Sequence, residues 1–316
     1  MPPRKEARQE VLVTGSSGFI GSHLCAALYG EGWKVTGLDL VSPTCCANRF
    51  VRADIRDPST LHIQAQAPTE VVVHLAAVAE VLTPFEEFDE LLKTNVIGTL
   101  NVLEAFRPKL FILPSTSAVY GNSRVGGARP VWSEVRPIGI YGMSKAAAEM
   151  ICRDWARSSD GVAVILRLGN VLGAHCRGLI PYVVNHARKY PDGLRPAQLR
   201  GNGRLVRDYV PIEYIVKLIS AVLRRKWPSG SCSTFNVGTG SRITNKDVIS
   251  VVQRVLRSRG FQLNPNFRNP VAAGEVQEVV FEMKHTVREF GLPVPSRSAV
   301  AKSIREATLS YLDHDA

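Results

Sequence analysis

The sequence predicts a doubly wound α/β fold: a parallel sheet with helices on both faces, and a smaller, interleaved C-terminal region. Three observations carry this. Short apolar runs alternate with helix-length segments through the first half of the chain. A glycine-rich turn, Gly15-Ser-Ser-Gly18-Phe19-Ile20-Gly21, stands between the first apolar run and the first helical segment. Beyond residue 170 the rhythm loosens, and Pro, Gly and Arg become frequent between 178 and 207.

Residues 11–14 (VLVT) read as a buried strand and 20–29 as the helix after it. Residues 34–39 (KVTGLD) and 71–75 (VVVHL) are further strands, the latter followed by a helix-like stretch over 90–106. Residues 110–113 (LFIL) and 162–168 (VAVILRL) are later strands, and 235–237 is expected to return one strand to the sheet. Apolar runs of strand length, spaced by helical segments, are the pattern of βαβ units.

Composition narrows the function classes. Apolar residues make up 45% and charged residues 21% of the 316, the balance of a folded globular chain. No apolar run approaches the ~20 residues of a membrane helix; the best candidate, 162–166, is cut short by Arg167. The charged start MPPRKEARQE gives no secretory pattern, so a cytoplasmic protein is expected. Six cysteines show no C-x-x-C spacing, and the vicinal pair Cys45-Cys46 reads as a chance pair, so neither a metal site nor a disulfide framework is expected. The net charge of +11 raises a nucleic-acid reading. The Lys and Arg residues are dispersed, however, without a basic-aromatic block, which favours a solvated basic surface together with a site for a small anionic substrate over nucleic acid.

The chemistry begins at the glycine turn. Its glycines permit a tight turn and let a pyrophosphate approach a helix N-terminus, where free N–H groups and the helix dipole favour anions. Asp39 ends the next strand, where a carboxylate accepts the adenosine ribose hydroxyls and repels a 2′-phosphate, pointing to NAD; a turn or capping role is the plain alternative. Tyr141-Gly-Met-Ser-Lys145 puts a phenol and an ammonium on one helix face. A phenol of ordinary pKa needs roughly 4 kcal/mol of help to act as a base near neutrality. Lys145 and the nicotinamide cation are expected to supply it.

The spacing G-x-x-G-x-x-G, with these later runs, resembles the extended short-chain dehydrogenase/reductase family, in its NAD-dependent epimerase/dehydratase group. The resemblance runs from about 10 to 310 and implies a Rossmann-type cofactor domain over 1–168 and a nucleotide-sugar region over 169–316, with about 233–260 returning to the sheet. On the cofactor side it implies contacts from Gly15, Gly18, Phe19, Ile20, Gly21 and Asp39, and from Asp54-Ile55 beside the adenine. Leu75-Ala76-Ala77 resembles the small-residue turn under the cofactor, and Asn95 the asparagine that supports the fold near the active site; Tyr141 and Lys145 serve the cofactor as well as the reaction. In Ser115-Thr-Ser-Ala-Val-Tyr-Gly121, Thr116 stands where relatives carry the hydroxyl that orients the sugar, with Ser117 the alternative hydroxyl for the substrate.

Relatives that dehydrate resemble Thr-Asp-Glu at 116–118, and relatives that decarboxylate resemble Thr-Ser-Glu. Thr116-Ser117-Ala118 has no carboxylate, which leaves a reaction that needs only a hydride and a proton. Arg167-Leu-Gly-Asn170-Val-Leu-Gly173 resembles R-x-x-N-V-x-G, implying that Asn170 touches the substrate diphosphate. Arg207-Asp-Tyr-Val210 resembles R-D-[FYW]-V, whose arginine grips that diphosphate, with a local Arg207–Asp208 ion pair as the alternative. Two positions depart from the pattern. The run Ala272-Ala273-Gly274-Glu275 lacks the second diphosphate arginine of relatives, for which Arg268 is the nearest substitute. Ala79 stands where some galactose epimerases carry a lysine. Val279 resembles the gate beside C2 of the sugar.

The resemblance therefore implies an NAD-dependent epimerase of a nucleotide-diphosphate sugar, acting at C4 through a 4-keto intermediate. It also implies a homodimer paired through the helix of Tyr141 and Lys145. A 4-keto-sugar reductase of the same family is the alternative, and a non-catalytic NAD sensor a distant one.

Overall fold

The structure is a computed structural model that describes residues 9–43, 47–64, 69–80, 85–122, 127–272 and 275–313. The Cys45-Cys46 pair lies outside them. In chain order the first half comprises β1 (Glu10–Thr14), α1 (Phe19–Gly30), β2 (Lys34–Asp39), β3 (Arg49–Arg52), α2 (Pro58–Gln64) and β4 (Val71–His74). It continues with α3 (Phe88–Leu92), a π-helical turn (Lys93–Ile97), α4 (Gly98–Phe106), β5 (Leu110–Thr116), α5 (Gly139–Ser158) and β6 (Val162–Leu168). The second half holds β7 (Asn170–Leu172), α6 (Leu179–Lys189), β8 (Ala197–Arg200), β9 (Val206–Arg207), β10 (Tyr209–Pro211) and α7 (Ile212–Arg224). It closes with β11 (Cys232–Val237), β12 (Ile243–Thr244), α8 (Asn245–Ser258), β13 (Pro265–Asn269), α9 (Lys284–Phe290) and α10 (Arg297–Leu312).

Seven strands form one sheet in the order β11-β6-β5-β4-β1-β2-β3, every pairing parallel. A parallel sheet covered on both faces needs apolar residues on both sides of each strand. The sequence supplies them: all seven residues of β6 are buried, Arg167 included. The strand order reverses between β1 and β4, so the loops after those two strands diverge and open a crevice at the carboxyl edge of the sheet. Thr14, Asp39, His74 and Thr116 all end strands at that edge.

The second region is built from three two-stranded sheets, β7 with β10, β9 with β12 and β8 with β13. α6, α8 and α10 pack on one another beside them. The return to the main sheet is β11, in parallel register with β6, whereas α8 stays with the second region. Phe19, at the start of α1, packs against core clusters of both regions, with its ring beside Gly173 just after β7.

The helix expected over 90–106 runs from 88 to 106 with helical backbone throughout, and carries a π turn at 93–97. Such insertions bend a helix locally and are frequent at functional sites.

Candidate active site

Gly15 closes β1 at φ +68°, a backbone conformation that costs an L-residue ~1–2 kcal/mol. A Cβ there would stand 2.5 Å from the Ala76 backbone nitrogen, so the turn is a cradle only glycine leaves open. α1 begins with Gly18 as its cap and no side chain bonded to its first amides. Asp39 is half-buried beside this turn: one oxygen accepts from the Ser17 amide at 2.9 Å and the other from the Val41 amide at 3.2 Å. A carboxylate has about four acceptor sites, so capacity for ribose hydroxyls remains. An open cradle, an uncapped helix start and this carboxylate together fit a dinucleotide.

The expected adenine-side pair divides. Asp54 is tied up by Arg56, whose guanidinium donates to both carboxylate oxygens at 2.6–3.0 Å and holds the carboxyl below its usual range through that hydrogen bond. Arg56 also binds Glu90. Ile55 is 5% exposed and lies against Gly98, with its carbonyl accepting from Asn101. The turn after β4 is pinned to β1: the Leu75 amide donates to the Thr14 carbonyl and the Ala76 amide to the Thr14 hydroxyl. Ala77 is partly exposed and Ala79 exposed just beyond it.

Asn95, in the π turn, is 1% exposed and fully engaged. Its side chain accepts from the Val78 amide (2.8 Å) and donates to the Val78 carbonyl and the Ser144 hydroxyl (both 3.0 Å). Ser144 in turn donates to the Tyr141 carbonyl at 2.9 Å. The π turn thereby holds the first turn of α5, which carries Tyr141 and Lys145.

Thr116 ends β5, with its hydroxyl accepting from the Ala118 amide and near enough to the Tyr141 phenol to favour its ionised form. Ser117 is buried beside it. Without a cofactor, burial disfavours the phenolate and pushes the Tyr141 phenol up to about 12, and Thr116 pulls it down. Lys145 is 4% exposed, and burial pulls its ammonium down to about 8. Among the described residues none accepts a hydrogen bond from it, so a buried cation stands ready for a ligand's hydroxyls.

Across the crevice, Asn170 is exposed, and its amide donates to the Asp208 carbonyl at 2.7 Å, which sets it next to Arg207. The Arg207 guanidinium is largely buried and donates to the Val206 and Gln277 carbonyls and, at 3.4 Å, to Glu275. Its ion partner is thus Glu275 rather than Asp208. Asp208 is fully buried and accepts from the Thr239, Gly240 and Phe281 amides, closing the Asn236–Gly240 turn. Arg268 is exposed on β13, lining a cavity of about 510 Å³ with Asn202, Asn266 and Phe267. Val279 is 1% exposed and packs in the same core cluster as Tyr120 and Phe281.

Sequence reasoning missed a buried ionic network behind the site. Glu149 follows Lys145 by one helical turn and accepts from Arg167 at 2.7–3.3 Å and from the Ser115 hydroxyl at 2.7 Å. Arg167 also donates to the Tyr120 hydroxyl and stacks over its ring at 4.6 Å, and Tyr120 donates to Asn236. An arginine inside the apolar run VAVILRL was the available signal. His74 was missed too; it is 2% exposed between Thr14 and Thr99. Among the described residues no group of His, Cys, Asp and Glu is arranged to hold a metal ion, and no helix is long and apolar enough to cross a membrane.

Comparison with known proteins bears on this geometry. UDP-arabinose 4-epimerase 1 of Arabidopsis thaliana is 29% identical over 307 residues, covering 85% of this chain and 71% of the relative. UDP-glucose 4-epimerase of Mus musculus is 28% identical, covering 80% and 83%. Among solved structures, the UDP-glucose 4-epimerase of Thermus thermophilus in complex with NAD superposes with a TM-score of 0.83 at 27% identity, over 96% of this chain and 99% of that one. The UDP-glucuronic acid 4-epimerase of Bacillus cereus in complex with UDP-glucuronic acid and NAD gives 0.81 at 26%, over 96% and 99%. The profile of the NAD dependent epimerase/dehydratase family matches residues 11–238, so this chain belongs to that family.

Proposed function

We infer that this protein is an NAD-dependent epimerase of a nucleotide-diphosphate sugar, acting at C4 through a transient 4-keto intermediate. The observation that carries the reading is the Tyr141 phenol beside the Thr116 hydroxyl at the end of β5, with the buried Lys145 one turn further along α5. Residues 1–168 serve the cofactor and 169–316 the substrate, with β11 shared between them.

Gly15, Gly18, Phe19, Ile20 and Gly21 line the pyrophosphate turn, Asp39 takes the adenosine ribose, and Lys145 takes the nicotinamide ribose. NAD, when bound there, would supply the hydride acceptor and donor for C4. Tyr141 takes the C4 hydroxyl proton, relayed through Thr116, and gives it back after the keto sugar has turned its other face; Ser117 steadies the neighbouring hydroxyls. Asn170 and Arg207 hold the diphosphate about which the sugar turns, Arg207 exchanging Glu275 for phosphate oxygens. One hydride and one proton leave and return, so the product is an isomer and the cofactor is unchanged. The absence of a carboxylate in Thr116-Ser117-Ala118 supports this over dehydration or decarboxylation.

A cytoplasmic location and a homodimer belong to the same reading. A groove of about 1060 Å³ between α4 and α5 is lined by Leu100, Leu103, Met150, Ile151 and Trp155, and Met150 is 70% exposed. Such a groove supports pairing of α4 and α5 with their counterparts in a second copy.

The test uses the protein as purified. It is denatured and any released dinucleotide identified, while native protein is incubated, without added cofactor, with UDP-glucose, UDP-galactose, their N-acetyl forms and UDP-glucuronate. Retained NAD with an isomerised sugar is the expected result. Product formed only with added NADH, and accompanied by its oxidation, would make the chain a reductase instead.

A further inference from the structure

Among the described residues, His74 is the one imidazole that ends a strand at the carboxyl edge of the main sheet, and its two nitrogens face different parts of the site. Its Nδ1 lies 2.8 Å from the Thr14 hydroxyl and its Nε2 3.1 Å from the Thr99 hydroxyl. The proton positions follow from the outer partners. The Thr99 hydroxyl donates to the Asn95 carbonyl at 2.7 Å, so its oxygen must accept from His74, which puts the proton on Nε2. Nδ1 is then an acceptor, and the Thr14 hydroxyl donates to it while accepting from the Ala76 amide at 3.2 Å. One arm therefore ends at the Ala76 turn. The other passes through Asn95, whose side chain holds the Val78 amide and Ser144, to the Tyr141 carbonyl.

We propose that His74 is a positioning residue with two separable arms: the Nδ1–Thr14–Ala76 arm sets the turn beneath the cofactor, and the Nε2–Thr99–Asn95 arm sets the helix that carries Tyr141. This rests on the function inferred above, which assigns those two elements to dinucleotide and base. Thr14, His74, Asn95, Thr99 and Ser144 are all buried to within 2% of complete, so water cannot stand in for a lost partner. Two adjacent amides report the arms independently. The Ala76 amide belongs to the first and the Val78 amide to the second.

The experiment measures amide hydrogen exchange at Ala76 and Val78 by NMR, together with NAD affinity and kcat, in four variants. His74→Asn keeps an acceptor at the Nδ1 position and loses the reach to Thr99; His74→Gln keeps a donor at the Nε2 position and loses Thr14. Thr14→Val and Thr99→Val cut the same arms without touching the imidazole, in case the histidine variants do not fold. The expected result for His74→Gln and Thr14→Val is Ala76 exchange at least fivefold faster and weaker NAD binding, with kcat at saturating NAD preserved. For His74→Asn and Thr99→Val, Val78 exchange speeds up and kcat falls at least tenfold, with NAD affinity held. Parallel losses in both amides and both activities across all four would make His74 plain structural filling and overturn the proposal. If the wild type neither binds NAD nor turns over a sugar, the inferred function fails, while a clean split of the two amides still upholds the two-armed arrangement.

Discussion

In the proposed reaction Tyr141 is the residue on which the chemistry turns, and its surroundings set a demanding condition. Burial pushes its phenol up to about 12, which favours a proton transfer that keeps pace with the substrate's developing charge. Tyr141→Phe keeps the ring in its pocket and removes only the hydroxyl. The expected outcome, read in steady-state kinetics and circular dichroism, is a kcat ~10²–10⁴-fold lower with an unchanged fold. A second prediction concerns His74. Burial, followed by the charge of Lys145, depresses its pKa from 6.5 to about 3. Between those values the unfolded chain binds a proton that the folded chain does not, so stability falls as pH drops from 6.5 toward 3. The slope from this group reaches about 1.4 kcal/mol per pH unit. Urea midpoints measured from pH 7 to 4 should therefore fall less steeply in His74→Gln than in the wild type, even though the variant starts less stable.

At the scale of elements, the strands were readable because a doubly covered parallel sheet forces apolar residues on both faces. VLVT, VVVH, LFIL and VAVILRL announce themselves that way, and the glycine turn announces the crossover between the first strand and its helix. β3 gave no signal, since an edge strand reading Arg-Phe-Val-Arg buries only Val51. The two-residue strands β9 and β12 are too short for any periodicity. The π turn was hidden because its cause is tertiary: Asn95 reaches across to Val78 and Ser144, which no local pattern encodes. Tyr141, Lys145 and Thr116 were legible as a spaced motif, but the opposite charges that steady them are far apart in sequence. Glu149 and Arg167 are each 3% exposed at the side chain and meet across α5 and β6. Removing one partner leaves a buried charge uncompensated, so Arg167→Met should cost about 3–5 kcal/mol in urea denaturation. Arg167→Met combined with Glu149→Gln should recover part of that loss; equal destabilisation of single and double variants would mean packing, not charge, is what matters. Gly15→Ala tests the cradle in the same spirit, and its expected outcome is loss of the retained dinucleotide, since the added methyl meets the Ala76 backbone.

For the whole molecule, the question is which surfaces the fold leaves unpaired. The helices covering the main sheet bury their inner faces, yet α5 keeps Met143 at 52% and Met150 at 70% exposed, and Ile97 and Leu100 stand out beside them at 47% and 37%. Scattered exposed apolar residues need no explanation, but Leu100 and Met150, which line one groove with Leu103, Ile151 and Trp155 across two neighbouring helices, do. Two copies related by a two-fold axis would bury this face against itself, giving a bundle of four helices whose inner ends carry the catalytic tyrosines. The charge around the groove is compatible with self-association: Glu104 and Asp154 offset Arg107, Arg153 and Arg157, so two such faces do not confront each other with a strong single-sign field. Sedimentation equilibrium is expected to return about twice the chain mass of 34.6 kDa for the wild type. Met150→Asp places a charge at the centre of the groove and should shift the protein to monomer at micromolar concentration, because an unpaired buried carboxylate costs several kcal/mol at each of two symmetric positions. A variant that stayed dimeric would move the interface elsewhere. A wild type that sedimented as a monomer would leave this apolar face for a partner of another kind.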